Sequence, residues 1–551
     1  MTEIIKRRFD SWIFGSVLFF ILFHQLRLIL NSGFIFDDWG SIFTASSGYT
    51  QSIHNWTSIW LIRPLSLIII PAVISLLGGL EAAYLLLNFS LVFISLNIFL
   101  LSLKNYVFGK SKWIFFILAL APTVASTSLL SSVNQLEMSF SLFFMACFSW
   151  FCTKKHDSIS YFYAGSTLLV MISMFFYEVT LPLVVVPMFL SLRKSRRELL
   201  VTTFSIVTAL LVVVLWQKIL VPIFISSDLS RISTLNLESG ATYVYQIVLG
   251  IPLKLLTGIF YSNFTLIVFL ASFTAILVAQ LRRSRESSSK SEYAGLSLLN
   301  SFLGLGFFIS FLLFLVSGLV ADTSSYSNRL FFSSWILLSL IVSINAPLWK
   351  SKLAIVCSVI LIAANLANYT QTVNEAIAAT SDRKAIVSSL NVFLEKQGID
   401  IKETRNVFVD VPCMLTPSLS RTVVFCANWD LDSAIRLKGY SGPPVYVASS
   451  SSLFDEPTQT LTMGDTHVLR GPTLLLVRDR SGFFKSYLFD NPAKMFDSNS
   501  NIFIRRNLRE IEGSSMNCLN FFRDRHNWLS INWDQQKRNL ACLSDPFPLH
   551  V

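Results

Sequence analysis

The chain has 551 residues, 53% of them hydrophobic and 14% charged, with 48 phenylalanines and a mean hydropathy of +0.58. A water-soluble protein of that size and composition would aggregate, so an integral membrane protein is expected. The net charge of +11 would suit nucleic acid only if the basic residues formed one stripe, and they fall instead in short clusters between apolar runs.

Lys6, Arg7 and Arg8 precede an apolar stretch from Trp12 to Leu30. This stretch is long enough to span and has no small-x-small cleavage site, so it reads as a retained first helix rather than a signal peptide, with a cytoplasmic amino terminus. His24 and Arg27 near its far end read as packing or snorkelling side chains. Gly33, Phe34, Ile35 and Phe36 then lead into Asp37-Asp38-Trp39. Two adjacent carboxylates beyond the outer end of a membrane helix are poor packing residues, and Trp39 is an interfacial anchor that would also shape a pocket.

The later basic clusters are Lys104, Lys110 and Lys112; Lys154 and Lys155; Arg193, Lys194, Arg196 and Arg197; Arg282, Arg283 and Arg285; and Lys350 and Lys352. Placing each in the cytoplasm fixes the threading. The region from Pro64 to Leu103 then crosses only once, so Pro64 to about Leu77 is expected along the outer interface and Glu81 to Leu103 as the second span. Further spans are expected near 113–130, 138–152, 159–176, 179–192, 199–220, 248–281, 293–320, 330–347 and 353–370, about eleven in all. The expected fold is therefore an α-helical polytopic membrane domain over 1–370 and a periplasmic α/β domain over 371–551.

This threading collects polar residues on the outer side: Asp37, Asp38, His54 and Arg63; Asn134, Gln135 and Glu137; Glu178; Asp228, Arg231 and Glu238; and Asp322, Tyr326 and Arg329. A transporter would instead bury charges near the midplane at interrupted, repeated helices, and no such repeat is visible.

In the tail, short β-like runs at Asn406 to Val411, Thr422 to Cys426, Pro444 to Ala448, Thr473 to Arg478 and Phe484 to Phe489 alternate with Gly and Pro. Cys147, Cys152 and Cys357 lie in apolar segments and read as small core residues. Cys413, Cys426, Cys518 and Cys542 lie in the outward tail, where disulfides persist. Three pairings are open, and proximity favours Cys413 with Cys426 and Cys518 with Cys542. Asp430, Asp432, Asp465 and His467 form no metal-binding or catalytic spacing.

Outward carboxylates at a membrane surface suit transfer of a sugar from a phosphate ester to a hydroxyl. One carboxylate can serve as general base, a role worth roughly 10²- to 10⁴-fold. Arg63, Arg231 and Arg329 can meet a leaving phosphate bidentately. Asp37-Asp38-Trp39 shortly after the first helix, followed by Arg63-Pro64-Leu65 at the start of an interfacial helix, resembles the C-type (GT-C) membrane glycosyltransferases. The likeness is strongest to the bacterial Gtr-type glucosyltransferases that modify O-antigen, and it runs from about Phe9 to Tyr369.

The resemblance implies an undecaprenyl- or other polyprenyl-phosphate-linked sugar donor, a hexose such as glucose, and a glycan acceptor such as O-antigen in the periplasm. It also implies juxtamembrane helices in the first outer loop and a catalytic acid at Asp37 or Asp38. Glu178, in Tyr177-Glu178-Val179, stands where related sequences often carry an acid. Trp39, His54, Arg63, Glu137, Arg231, Tyr326 and Arg329 are the substrate-binding candidates. No cofactor is expected, a divalent metal on Asp37, Asp38 and Glu178 being the secondary reading. An O-antigen polymerase or a lipid-linked glycan transporter is the competing functional class.

Overall fold

The computed structural model describes residues 2–31, 33–34, 37–46, 48–107, 111–121, 133, 135–224, 237–255, 290–317, 330–345, 352–396, 404–411, 425, 428–447, 462–463, 467–468, 472–478 and 484–489. The chain groups into two compact units. The first comprises Met1–Leu30, Tyr49–Leu130 and Gln135–Val373, and the second Asn31–Gly48, Ser131–Asn134 and Asn374–Val551.

Among the described residues the regular elements of the first unit are all helical. Its elements begin with α1 (Thr2–Asn31), then, after the α2 segment that belongs to the second unit, α3 (Tyr49–Trp60), α4 (Pro64–Leu77), α5 (Glu81–Ser102) and α6 (Ser111–Leu120). There follow α7 (Leu136–Thr153), α8 (Ile159–Phe176), a 3₁₀ segment (Glu178–Val184) and α9 (Val185–Lys194). After these come α10 (Arg196–Phe224), α11 (Leu237–Tyr245), α12 (Lys290–Ser317), α13 (Phe332–Asn345) and α14 (Lys352–Lys396), whose residues from Asn374 onward belong to the second unit. Among the described residues, five helical stretches are long and apolar enough to cross a membrane: Glu81–Ser102, Leu136–Thr153, Ile159–Phe176, Arg196–Phe224 and Gly295–Val316.

Local chemistry sets the borders of these helices. Pro64 opens α4, where a missing N–H costs nothing. Gly78, at φ +55°, closes it by donating its N–H to Ile74 O at 2.8 Å, a conformation that favours glycine. At 14 residues α4 is shorter than the roughly 20 residues of a crossing. Ser195 caps α10 by accepting the Glu198 N–H at 3.0 Å.

Packing runs from α5 onto α7, α7 onto α8, and α8 onto α10. α6 packs on α13, where Trp335, 2% exposed, donates its indole N–H to Leu118 O at 2.7 Å. Two expectations need correction. The span placed at 179–192 is a 3₁₀ segment that runs into a short helix, because Pro182 removes a donor inside it. The helix placed at 353–370 continues without interruption to Lys396.

In the second unit, a four-stranded sheet has the order β2-β1-β5-β6, with β1 at Asn406–Asp410, β2 at Val445–Val447, β5 at Thr473–Arg478 and β6 at Phe484–Phe489. Strand β1 runs parallel to β2 (Val407 against Val445) and to β5 (Val407 against Leu474), while β6 returns antiparallel, Thr473 facing Phe489. The continuous apolar run Val407-Phe408-Val409 is fully buried, as expected of a parallel strand covered on both faces. α15 (Asn428–Arg436) links β1 to β2, and Asp432 ties the two elements by accepting the Val445 N–H at 3.0 Å. A second ladder pairs β3 (Thr462–Met463) with β4 (His467–Val468). This unit also contains α2 (Asp37–Ser46), which packs on α15.

Of the cysteines, Cys147, Cys152 and Cys357 are unpaired. Cys413, Cys426, Cys518, Cys542 and the run from Thr422 to Cys426, apart from Phe425, lie outside the described residues.

Candidate functional site

Three charged side chains that are remote in sequence meet inside the helical unit. Arg63 ends the turn before α4, held by its N–H to Trp60 O (2.8 Å) and by its carbonyl, which accepts from Leu67 (3.0 Å). Proline at the next position disfavours helical geometry at Arg63, and its backbone is accordingly at φ −126°, ψ 74°. Its guanidinium forks onto Glu178, Nε donating to Oε2 at 3.1 Å and Nη2 to Oε1 at 2.8 Å. Nη1 reaches both oxygens of Glu137, at 3.0 and 3.1 Å. The ring of Tyr177 lies beneath, 4.1 Å from the guanidinium carbon. Arg63 is 5% exposed, Glu137 3% and Glu178 9%.

Each acid sits at the start of its element: Glu137 in the first turn of α7 and Glu178 at the head of the 3₁₀ segment. Both positions favour negative charge. Buried hydroxyls hold the second acid in place. Ser141 of α7 donates to Tyr177 O (2.8 Å) and lies 2.6 Å from the Thr180 hydroxyl, while Ser173 of α8 donates to Ser141 O (2.8 Å). Ser66 of α4 donates to Phe176 O (3.0 Å). Pro182 has no N–H for the carbonyl three residues back, and Ser333 of α13 supplies the missing donor to Val179 O at 2.6 Å. Burial alone would lower the Arg63 pKa, and the carboxylates of Glu137 and Glu178 more than offset it, so the guanidinium is held above its ordinary value.

The guanidinium fork is therefore directed at two carboxylates in this arrangement, and the expected phosphate-binding role of Arg63 would require exchange of one of them. Glu178, expected as a catalytic acid, is the bidentate partner. Tyr177 and the hydroxyls of Ser66, Ser141, Thr180 and Ser333 were not singled out in the sequence. Their signal was polar side chains recurring inside apolar runs.

The remaining candidates are placed separately. In the second unit, Asp38 is buried in the first turn of α2, and its Oδ1 accepts the Val133 N–H at 3.0 Å. Asp37 opens the same helix. Trp39, 7% exposed, packs edge-on to Phe34 with ring centroids 5.3 Å apart. His54 is exposed on α3. Arg231, Tyr326 and Arg329 lie outside the described residues. Among the described residues no three His, Cys, Asp or Glu side chains converge to hold a metal ion.

No family model and no curated protein matches the chain. A solved structure described as ArnT from Cupriavidus metallidurans in the apo state is 14% identical, spanning 86% of this chain and 93% of its own, with a TM-score of 0.34. That likeness is too slight to bear on what this chain does.

Proposed function

We propose that this chain is a multi-pass glycosyltransferase of the bacterial inner membrane, of GT-C type. In this reading it moves a hexose such as glucose from a polyprenyl-phosphate donor to a periplasmic glycan such as O-antigen. The observation that carries the reading is the Arg63–Glu137–Glu178 cluster, one cation and two carboxylates buried together in the helical unit. Buried ion clusters are a poor source of stability, and ionisable residues inside membrane domains mark functional sites by default.

In the proposed reaction Asp38 takes the proton from the acceptor hydroxyl. The freed oxygen bonds to the anomeric carbon, and the bond from that carbon to the phosphate oxygen breaks, leaving the polyprenyl phosphate with the electron pair. The Val133 N–H on Oδ1 fixes the orientation of the carboxylate. Arg63, tied to two element starts, sets the positions of Glu137 and Glu178, and the leaving phosphate falls to Arg231 and Arg329. The amino terminus lies in the cytoplasm, and the 371–551 domain lies in the periplasm with its cysteines paired.

The test is mass spectrometry of surface lipopolysaccharide from cells carrying the wild-type chain, Asp37→Asn or Asp38→Asn at matched expression. A one-sugar increment per repeat, lost in the Asp38 variant, is expected. An increment indifferent to both substitutions, or none with the wild type, would remove the transferase reading and favour a transporter or polymerase.

A further inference from the structure

Gln135 immediately precedes α7, and its carbonyl accepts the Ser139 N–H at 3.0 Å, so the helical ladder begins there. Its side chain makes no capping bond. It is 1% exposed, and among the described residues neither Oε1 nor Nε2 has a hydrogen-bond partner. Burying a carboxamide with both ends unmet is costly, and a leucine would fill the same space without that cost.

The chemistry of the site narrows what could meet this amide. A carboxamide offers an acceptor and a donor side by side. The ionic cluster that begins two residues later, at Glu137, carries two carboxylates against one guanidinium, which disfavours an anion at the α7 N-terminus. A cation would engage Oε1 alone and leave the Nε2 donor unmet. What remains is a neutral group with a donor and an acceptor on neighbouring atoms, and two adjacent hydroxyls of a pyranose ring supply that pair.

We propose that Gln135 binds a vicinal hydroxyl pair of the transferred or accepting sugar and so sets which hexose is used. This assignment rests on the sugar-transfer reading above. A residue that is costly when empty and useful when filled should trade stability against binding, which a purely structural amide would not do.

The experiment compares wild type with Gln135→Leu in phospholipid nanodiscs free of glycosidic detergents, which carry the hydroxyls in question. Thermal unfolding is recorded alone and with methyl hexopyranosides or their deoxy analogues, and transfer kinetics are measured with a fixed donor. The leucine variant is expected to unfold at the same or higher temperature. It is also expected to lose about ten- to hundred-fold in affinity or KM for the hexose, the worth of one or two buried hydrogen bonds. Deoxy analogues lacking the pair should bind both proteins equally.

A leucine variant less stable than wild type with unchanged hexoside response would overturn the assignment and leave a structural amide or an ordered water. Normal transfer with an unchanged KM in the variant would overturn it while leaving the transferase reading intact. A Gln135-dependent hexoside response in a protein that adds no sugar to any glycan would uphold the site and remove the transferase reading.

Discussion

Replacing Arg63 by methionine would leave Glu137 and Glu178 buried without the guanidinium that makes four contacts of 2.8 to 3.1 Å to them. All three residues are nine-tenths or more buried, so little solvent screening softens the loss. Removing one member of a buried ion cluster costs about 3–5 kcal/mol. At about 2 °C per kcal/mol for a large protein, unfolding should fall by about 6–10 °C. The triple replacement Arg63→Met, Glu137→Met and Glu178→Met removes every charge together and should recover most of that loss, because buried ion clusters are often matched by apolar residues of similar volume. Intrinsic tryptophan fluorescence during heating of the detergent-purified variants reads both numbers. A single variant within 1 °C or so of wild type, or a triple variant no better than the single, would refute the claim that the cluster's cost lies in its uncompensated partners.

At Gly306 of α12 an added Cβ would lie 2.7 Å from Leu337 Cδ1 and 3.1 Å from Pro182 O. Gly306→Ala should therefore cost about 1–3 kcal/mol by overpacking the 3₁₀ segment that carries Glu178, visible as a lower unfolding temperature. Trp335→Phe deletes the buried indole donor to Leu118 O and should cost about 1–3 kcal/mol, checked in the same assay. The folded-state pKa of Arg63 is raised, so its contribution is complete below its ordinary value and disappears only as pH rises through the raised one. Wild type minus Arg63→Lys stability should be flat from about pH 6 to pH 9. In the tail, burial pushes the Tyr440 phenol up to about 12, with Arg436 lowering it and Asp432 raising it. The difference absorbance of wild type against Tyr440→Phe should show that phenol still protonated at pH 11.

The helices Glu81–Ser102, Leu136–Thr153 and Ile159–Phe176 were legible because each is an apolar run bounded by a charged or capping residue, as at Ser158 and Lys154, whereas of the span expected at 113–130 the described residues hold only Ser111–Leu120. The strands Thr473–Arg478 and Phe484–Phe489 were legible to the residue, because β-branched and aromatic runs end at Gly or Pro there. The end of α14 was not. Hydropathy drops after Tyr369, yet no Gly or Pro occurs between Lys352 and Lys396, and a helix ends where its backbone is interrupted rather than where its surroundings change. At the candidate site, Arg63, Glu137 and Glu178 were each visible, but their meeting depends on contacts 74 and 115 residues apart that no local pattern encodes. Pro182 was the overlooked local signal, since it forbids a regular helix just after Glu178.

The packing of α2 on α15 imposes a schedule on the newborn chain. Asp38 leaves the ribosome almost 400 residues before Asn428. At about 5–20 residues per second, the helix carrying that acid waits on the order of 20–80 s for its neighbour. A chain cut short by premature termination or proteolysis anywhere before Asn428 would thus keep the acid and lose the surface that seats it. Translation must therefore pass Arg436 before the helix that bears Asp38 has its neighbour, so a stretch read late in the message governs how an acid read early is held.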